Sequence, residues 1–237
     1  MTQMDQPQDK YIINDLRKEE AWRMFRIMSE FIEGFDTLAD LTPAVTVYGS
    51  ARVEHDDPLF KLAEDLGRRL AQAGYAVMTG GGPGIMEAAN KGAFEAGGTS
   101  VGLTIALPKE QPSNQYHTIT IDFHHFFVRK VMLVKYATAF VLLPGGLGTL
   151  DELFETITLI HTHKIRPFPV FLMCRDYWEG LVDWLGDKTA ARGYIDPEDL
   201  NLLKIVDDPA EIVAKVERWY RAKARNVEKR APLTAPS

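Results

Sequence analysis

The sequence predicts a Rossmann-like, doubly wound α/β domain with a mainly parallel sheet, helices on both faces and an added N-terminal helix. Short apolar, β-branched runs alternate with helical segments from residue 44 onward, which is typical of βα units and a parallel sheet. Glycine-rich loops stand at two junctions where a predicted strand ends and a helix begins. No glycine- or proline-rich linker interrupts the pattern, so the 237 residues are expected to form one domain.

The first predicted helix spans residues 15–41 and precedes the first strand. Its apolar side chains recur every three or four residues, which aligns them on one face of an amphipathic helix. They are Trp22, Phe25, Met28, Ile32 and Phe35. We expect this stripe to pack on the chain's own core, with a subunit interface as the alternative.

Strands and helices then alternate to the end of the domain. The predicted strands lie in segments 44–50, 75–84, 99–107, 118–123, 139–146, 167–173 and 201–206. The predicted helices lie in segments 59–74, 85–98, 126–137, 149–163, 176–193 and 210–222. Residues 1–12 and 223–237 are polar or charged and without periodicity, so we expect mobile tails around a domain at 13–222.

Composition and charge exclude several classes of function. A formal net charge of −6 argues against binding of nucleic acid polymers, which requires a basic surface. The single cysteine, Cys174, lies in an apolar run and is expected to be a buried small hydrophobic residue in a reducing compartment. The N-terminus lacks a signal-peptide pattern, and every apolar run is far shorter than the roughly 20 residues of a membrane helix. We therefore expect a cytoplasmic protein without a membrane partner.

Two glycine loops carry the strongest functional signal. They are TGGGPGIME at residues 79–87 and PGGLGTLDE at residues 144–152, each at a strand-to-helix junction. Glycines let the backbone approach a ligand, and the amides of a helix N-terminus attract anions. One such loop alone is equally explained by a tight turn. Two loops, with a third turn at residues 48–52, favour a phosphate-bearing ligand.

Other nucleotide motifs fit poorly. Neither loop continues into the Gly-Lys-Ser/Thr of a P-loop, so a triphosphate with magnesium is not supported. No acidic residue closes the strand at 99–107, where a dinucleotide fold places its ribose-binding carboxylate. A dehydrogenase is therefore only a third alternative.

The second loop leaves one ambiguity. Thr149 and Glu152 have the spacing of a capping box, in which they satisfy each other's backbone amides at a helix start. Spacing alone favours this structural role. A functional Glu152 would instead turn its carboxylate into the crevice while Thr149 donates to a phosphate, and the local pattern does not choose between them.

Three segments together resemble the Lonely Guy family of cytokinin-activating nucleotide phosphoribohydrolases. They are GGGPGIMEAANKGAFEAGG, FFVRKVMLVKYA and PGGLGTLDELFE, and the resemblance covers about residues 44–220. The family's Pro-Gly-Gly-x-Gly-Thr-x-x-Glu loop is complete at residues 144–152 and follows an arginine–lysine pair, Arg129 and Lys130. Members carry an older label as lysine decarboxylases, but no residue pattern here indicates a pyridoxal site.

The resemblance implies hydrolysis of a nucleoside 5′-monophosphate to a free base and ribose 5-phosphate. It implies catalytic roles for Arg129 and Glu152, although periodicity alone would make Arg129 a surface charge of its helix. The implied substrate-binding residues are Ser50, Gly81, Gly82, Met86, Glu87, Lys130, Gly145, Gly146, Gly148 and Thr149. A fixed carboxylate suits this chemistry, because it stabilises an oxocarbenium-like ribose and activates or orients water. Glu87 is a second candidate carboxylate, or a charge that favours its helix N-terminus.

The sequence departs from the short plant-type members in two places. It has Gly-Ile-Met-Glu at residues 84–87 and an added N-terminal helix, as the longer bacterial branch does. Strict cytokinin specificity is thereby put in question, and purine monophosphates, AMP first, are expected alongside isopentenyl-AMP. The resemblance also implies a homo-oligomer, a dimer or higher, without a cofactor.

Two further interpretations remain. The six histidines include His124–His125 and His161-x-His163, but residues two apart on a helix point about 200° apart and do not grip one ion. We expect structural roles for them, with ligand contact by His124 or His125 as the alternative, and no metal. The rival from another class is a non-catalytic nucleotide-binding or cofactor-carrier module on the same fold.

Overall fold

The computed structural model describes residues 20–106 and 113–228. Its helices are α1 (Glu20–Thr37), α2 (Pro58–Gln72), α3 (Ile85–Glu95), α4 (Phe126–Lys135), α5 (Leu147–His161), α6 (Arg175–Trp184) and α7 (Pro209–Glu228). Its strands are β1 (Ala44–Tyr48), β2 (Ala76–Thr79), β3 (Ser100–Ile105), β4 (Ile119–Phe123), β5 (Ala137–Leu142), β6 (Val170–Leu172) and β7 (Leu203–Ile205). By its internal contacts the chain separates into two compact units, one up to Ala39 and one from Asp40.

The first unit contains α1, which is helical as predicted and ends at Thr37 instead of residue 41, while residues 15–19 of the predicted helix lie outside the described residues. The predicted apolar stripe is not buried: Trp22, Phe25, Met28, Ile32 and Phe35 are all exposed. These residues belong to the first unit, so their expected packing on the core of the second unit stays a prediction. A contact with another subunit stays a prediction.

The second unit is a seven-stranded sheet in the order β4-β3-β2-β1-β5-β6-β7. Every strand pair is parallel, which confirms the predicted doubly wound fold. The central strands are apolar and completely buried, as expected where helices cover both faces. The order reverses at β1, so the sheet has its topological switch point between β1 and β5.

The two faces of the sheet are covered by different helices. Val45 and Val47 of β1 belong to a buried apolar cluster with residues of α2, α3 and α7. Thr46 lies between them and points to the opposite face, where its hydroxyl donates to the Leu133 carbonyl of α4 at 2.9 Å. The chain moves from β1 to β2 toward one edge of the sheet and from β5 to β6 toward the other edge. Right-handed crossovers therefore place α5 on the same face as α4, opposite to α2.

Local sequence explains where several elements begin. Helix α2 begins after Asp57, whose carboxylate accepts the Leu59 amide at 2.8 Å, and Pro58 occupies the first turn, where its missing amide costs nothing. The predicted strand at 201–206 is shorter, because a 3₁₀ helix at Pro197–Leu202 takes up its first residues.

Two further boundaries differ from the prediction. Helix α7 extends to Glu228, into the segment predicted as a tail, and the remaining parts of both predicted tails lie outside the described residues. Cys174, predicted to be buried, is half-buried at the start of α6, and burial raises the pKa of its thiol to about 11. Within residues 20–106 and 113–228, no helix combines the length and the hydropathy needed to cross a bilayer.

Candidate active site

A cavity of about 630 Å³ lies at the carboxyl ends of the central strands. It is lined by the residues that follow β1, by the first glycine loop after β2, and by the second glycine loop and the first turns of α5. This is the crevice beside the β1–β5 switch point, where open parallel sheets bind ligands. The two glycine loops predicted from the sequence therefore meet at one site.

A buried polar network supports the first glycine loop from below. The Thr79 hydroxyl accepts the Gly81 amide at 2.9 Å and donates to Asn90 Oδ1 at 2.5 Å. Asn90 Nδ2 donates in turn to the Ser100 hydroxyl at 2.8 Å. The side chains of all three network residues are buried, so each of these hydrogen bonds satisfies a group that water does not reach.

Asn114 ties the chain that follows β3 to the same loop. Its amide donates to the Gly81 carbonyl, and its side chain donates to the Gly82 carbonyl, each at 2.9 Å. Neither Asn90 nor Asn114 was predicted from the sequence as a residue of the site. A polar asparagine among the small apolar residues of α3 was a usable signal for Asn90, whereas nothing near Asn114 in the sequence indicated its contact.

Arg129 reaches the cavity from the second turn of α4. Its Nε donates to the Leu103 carbonyl at 2.6 Å, and its Nη2 lies 3.4 Å from the Gly80 carbonyl. A side chain at Gly80 would overlap the guanidinium as it is placed here, so the glycine permits this close approach. Burial lowers the pKa of Arg129, and the nearby Glu152 carboxylate opposes that shift. The group stays a cation, because an arginine pKa lies far above neutrality.

The second glycine loop does not form the capping box that its spacing suggests. Helix α5 begins at Leu147 with Gly146 as its N-cap, so Thr149 is already the third helical residue. The Leu150 amide makes the first hydrogen bond of the helix, to the Gly146 carbonyl at 3.1 Å. The amides before it precede the ladder and point out of the helix start, in the arrangement that binds anions. The structural alternative for Glu152 is thereby removed.

Neighbouring elements hold this loop in place. The Ser50 amide donates to the Pro144 carbonyl at 3.0 Å, and the Tyr177 hydroxyl of α6 donates to the Gly145 carbonyl. A side chain at Gly145 would overlap the Thr149 hydroxyl. The loop is therefore fixed by the strand beside it, by α6 and by its own close packing.

Glu152 has the most perturbed carboxyl group in the cavity. Burial raises its pKa to about 7, the positive charges of Lys130 and Arg129 lower it, and the carboxylates of Glu155 and Asp151 raise it further. Its Oε2 atom is buried and has no hydrogen-bond partner among the described residues. A carboxyl group poised near neutral pH in a ligand cavity is a candidate for proton transfer.

Lys130 forms an ion-pair cluster beside this carboxyl group. Its Nζ lies 2.8 Å from Asp151 Oδ2 and 3.2 Å from Glu155 Oε2. The lysine bridges α4 and α5 and supplies positive charge next to Glu152 without lining the cavity.

Most of the site residues predicted from the sequence meet in the cavity. Its lining includes Ser50, Gly81, Gly82, Met86, Arg129, Gly146, Gly148, Thr149 and Glu152. Three predicted residues do not line it, namely Glu87, Lys130 and Gly145. The Glu87 carboxylate lies instead 3.3 Å from His55 Nε2.

The structure also brings residues to the cavity that the sequence analysis did not select. They include Tyr48, Arg52, Thr104, Phe126 and Leu147. Arg52 adds a cationic side chain two residues after Ser50, within the turn at 48–52 that the sequence analysis noted. Phe126 and Leu147 are exposed apolar residues at the cavity, at 51% and 86% accessibility.

The histidines take no part in the cavity lining. His161 Nδ1 lies 2.9 Å from Asp199 Oδ1, and His124 and His125 are absent from the lining residues. Within the part of the chain that the structure describes, no three His, Cys, Asp or Glu side chains are grouped to hold a metal ion.

Comparison with known proteins gives the family. A family model described as "Possible lysine decarboxylase" matches residues 86–216, more than half of the chain. The chain belongs to this family. It is the Lonely Guy family that the motifs resemble, and relatives carry the corresponding name. A cytokinin riboside 5′-monophosphate phosphoribohydrolase of Mycobacterium tuberculosis is 31% identical over 169 residues, covering 69% of this chain and 88% of that protein. One of Rhodococcoides fascians is 28% identical over 176 residues, covering 73% of this chain and 88% of that protein.

Solved structures with the Lonely Guy fold include carrier proteins. A molybdenum cofactor carrier protein of Chlamydomonas reinhardtii is 26% identical, with a TM-score of 0.53 over 76% of this chain and 99% of that chain. A molybdenum cofactor binding protein of Rippkaea orientalis has a TM-score of 0.55 over 76% of this chain and 98% of that chain. At 23% identity the second likeness concerns the fold alone.

Proposed function

We propose that the protein hydrolyses the N-glycosidic bond of a nucleoside 5′-monophosphate and releases the free base and ribose 5-phosphate. The observation that carries the proposal is Glu152, whose pKa of about 7 belongs to a carboxyl group lining the same cavity as the Arg129 guanidinium. The names of the family relatives support the same class of reaction.

The start of α5 is proposed to bind the 5′-phosphate. The amides of Leu147, Gly148 and Thr149 precede the first hydrogen bond of the helix, and the helix dipole favours negative charge at this end. The Thr149 hydroxyl adds a donor at the same place. Glycines at 146 and 148 leave the approach to these amides open.

Glu152 and Arg129 are proposed to divide the chemistry between them. As the bond between C1′ and the base nitrogen breaks, its electron pair leaves with the base and positive charge develops on the ribose. The Glu152 carboxylate stabilises that charge and accepts a proton from the attacking water, whose oxygen bonds to C1′. The departing base takes up one proton and Glu152 releases one to solvent, so the reaction consumes one water. The guanidinium of Arg129, held by two backbone carbonyls, donates to ribose or phosphate oxygens.

AMP is the substrate proposed first, together with cytokinin riboside 5′-monophosphates. The second group comes from the names of the relatives, at about 30% identity. The decarboxylase wording of the family model finds no support in this cavity. Its described lining residues include no lysine that would carry a pyridoxal group as a Schiff base.

The test is to incubate the purified protein with AMP, isopentenyl-AMP, GMP and CMP and to quantify free base and ribose 5-phosphate by chromatography. Glu152→Gln is the test variant, expected to lose at least about 100-fold in kcat. Glu87→Gln is the matched control, because it removes a carboxylate outside the cavity lining. Base release by wild type and by Glu87→Gln, but not by Glu152→Gln, is the expected result. Equal turnover by all three proteins contradicts the assignment.

A nucleotide or cofactor carrier is the second candidate. The likeness to the Chlamydomonas carrier, at 26% identity and over nearly the whole of that chain, favours it. A carrier needs the phosphate-binding loops but not a carboxyl group with a raised pKa. Calorimetric binding of AMP without base release from any nucleotide would support the carrier instead.

A further inference from the structure

Tyr48 lies at the end of β1, on the sheet face that carries Arg129 and Glu152. Side chains alternate along a strand, so Tyr48 shares the face of Thr46, whose hydroxyl contacts α4. Its ring stacks on Phe140 of the adjacent strand, with centroids 6.0 Å apart and planes 8° apart. The next step along β5 leads into the second glycine loop, and the Leu143 amide donates to the Tyr48 carbonyl at 2.9 Å. The phenol is thus held rigidly beside the proposed catalytic groups.

The hydroxyl of Tyr48 is a buried polar group that the rest of the described chain leaves without a hydrogen bond. Glu152 Oε2 is in the same condition. Such atoms also occur in His117, Thr156, Trp178 and Glu155, although the Glu155 oxygen is ion-paired with Lys130. None of those four lines the cavity, whereas Tyr48 and Glu152 both do. Buried polar groups without protein partners are usually satisfied by water or ligand, and here one group donates and the other accepts.

The electrostatic environment keeps the phenol protonated. Burial raises the pKa of Tyr48 well above its usual value, the Glu152 charge raises it further, and the Arg129 charge opposes these effects. The group therefore remains a donor across the pH range in which Glu152 titrates. Because the charges of Glu152 and Arg129 both act on the phenol, the three side chains lie near one another.

We propose that Tyr48 is a catalytic residue whose hydroxyl binds the attacking water together with Glu152. This inference rests on the proposed hydrolase function. The water accepts a hydrogen bond from the Tyr48 hydroxyl and donates one to Glu152 Oε2. The second lone pair of the water oxygen is then directed to C1′. As the water oxygen bonds to C1′, the proton that it donates to Glu152 passes to that carboxylate, while Tyr48 keeps its own proton and holds the water in line for the attack.

The experiment compares Tyr48→Phe with wild type in the nucleotide assay, measuring kcat, KM and AMP affinity by calorimetry. Tyr75→Phe is the matched control, since Tyr75 is a buried tyrosine in the apolar cluster on the other face. Loss of a contact that positions a reacting molecule lowers kcat by about 100-fold. We expect that loss in Tyr48→Phe, with AMP affinity within about twofold of wild type, because only the water contact is removed. Tyr75→Phe is expected to keep wild-type kcat.

Each other outcome is decisive. Wild-type hydrolysis with an unchanged kcat in Tyr48→Phe overturns the role of Tyr48 and leaves the proposed function intact. If Tyr48→Phe loses both AMP affinity and turnover, the proposed role of Tyr48 is also overturned. Removing a contact to the water alone would leave the contacts to the nucleotide in place. Absence of base release from the wild type overturns the hydrolase proposal itself and this inference with it.

Discussion

Replacing Glu152 with glutamine is expected to stabilise the protein above neutral pH while removing its activity. The Glu152 pKa is raised from 4.5 to about 7 in the folded chain. Between these values the folded state binds more protons than the unfolded state, so stability falls as the pH rises through this window and the full cost is reached above pH 7. Glutamine carries no charge and avoids that cost. The shift corresponds to an upper limit of about 3 kcal/mol.

The assay is urea unfolding followed by circular dichroism at pH 4.5, 6 and 8 for wild type and Glu152→Gln. The free energy of unfolding of the variant, relative to wild type, is expected to increase by about 2–3 kcal/mol from pH 4.5 to pH 8. Glu179→Gln, which removes an exposed carboxylate on α6, is the control for the loss of one negative charge. A Glu152→Gln protein that gains no stability at high pH would refute the view that this carboxyl group is desolvated.

Three further predictions concern the surroundings of the site. Lys130→Met removes a positive charge that lowers the Glu152 pKa, so the acid limb of kcat/KM is expected to move to higher pH by roughly one unit, and an unchanged profile would contradict this. Gly145→Ala forces a methyl group against the Thr149 hydroxyl and is expected to weaken AMP binding at least about tenfold in calorimetry, whereas wild-type affinity would show that the loop relaxes. Asn90→Ala breaks a buried polar network and is expected to cost about 2–3 kcal/mol in urea unfolding and to raise KM, and a neutral effect would mean that the network supports neither the fold nor the loop.

The alternation of apolar runs and helical segments was sufficient to predict the sheet and its helices. Each predicted strand segment overlaps an observed strand, because burial on both faces demands continuous apolar β-branched runs that stand out in a sequence. The predicted strand boundaries were less accurate where another element takes up the same residues. At Asn201 a 3₁₀ helix begun by Asp196 and Pro197 delays the last strand.

The role of Glu152 illustrates what a local pattern leaves undecided. The spacing from Thr149 to Glu152 is that of a capping box, yet the N-cap of the helix is Gly146, three residues before Thr149. The start is set by bonds from elsewhere, because the Ser50 amide and the Tyr177 hydroxyl fix the carbonyls of residues 144 and 145. Contacts between residues far apart in the sequence cannot be predicted from the spacing of residues within one motif. For the same reason the sequence analysis overlooked Tyr48, which approaches the catalytic groups only through the sheet.

A carrier and a hydrolase on this fold are expected to differ in the pKa of the carboxyl group in the cavity, and not in the glycine loops. Either function needs amides at a helix start to bind phosphate, so these loops carry no information about turnover. A carboxyl group with its pKa raised to about 7 is costly to a folded chain and has no use in holding an anion. Glu152 and Tyr48 each have a buried side-chain oxygen without a partner among the described residues, and both residues line the same cavity as Arg129. An anion carrier gains nothing from a carboxylate close to the phosphate, whereas hydrolysis requires a group that takes a proton from water near neutral pH. The cost in stability is therefore itself an argument for catalysis.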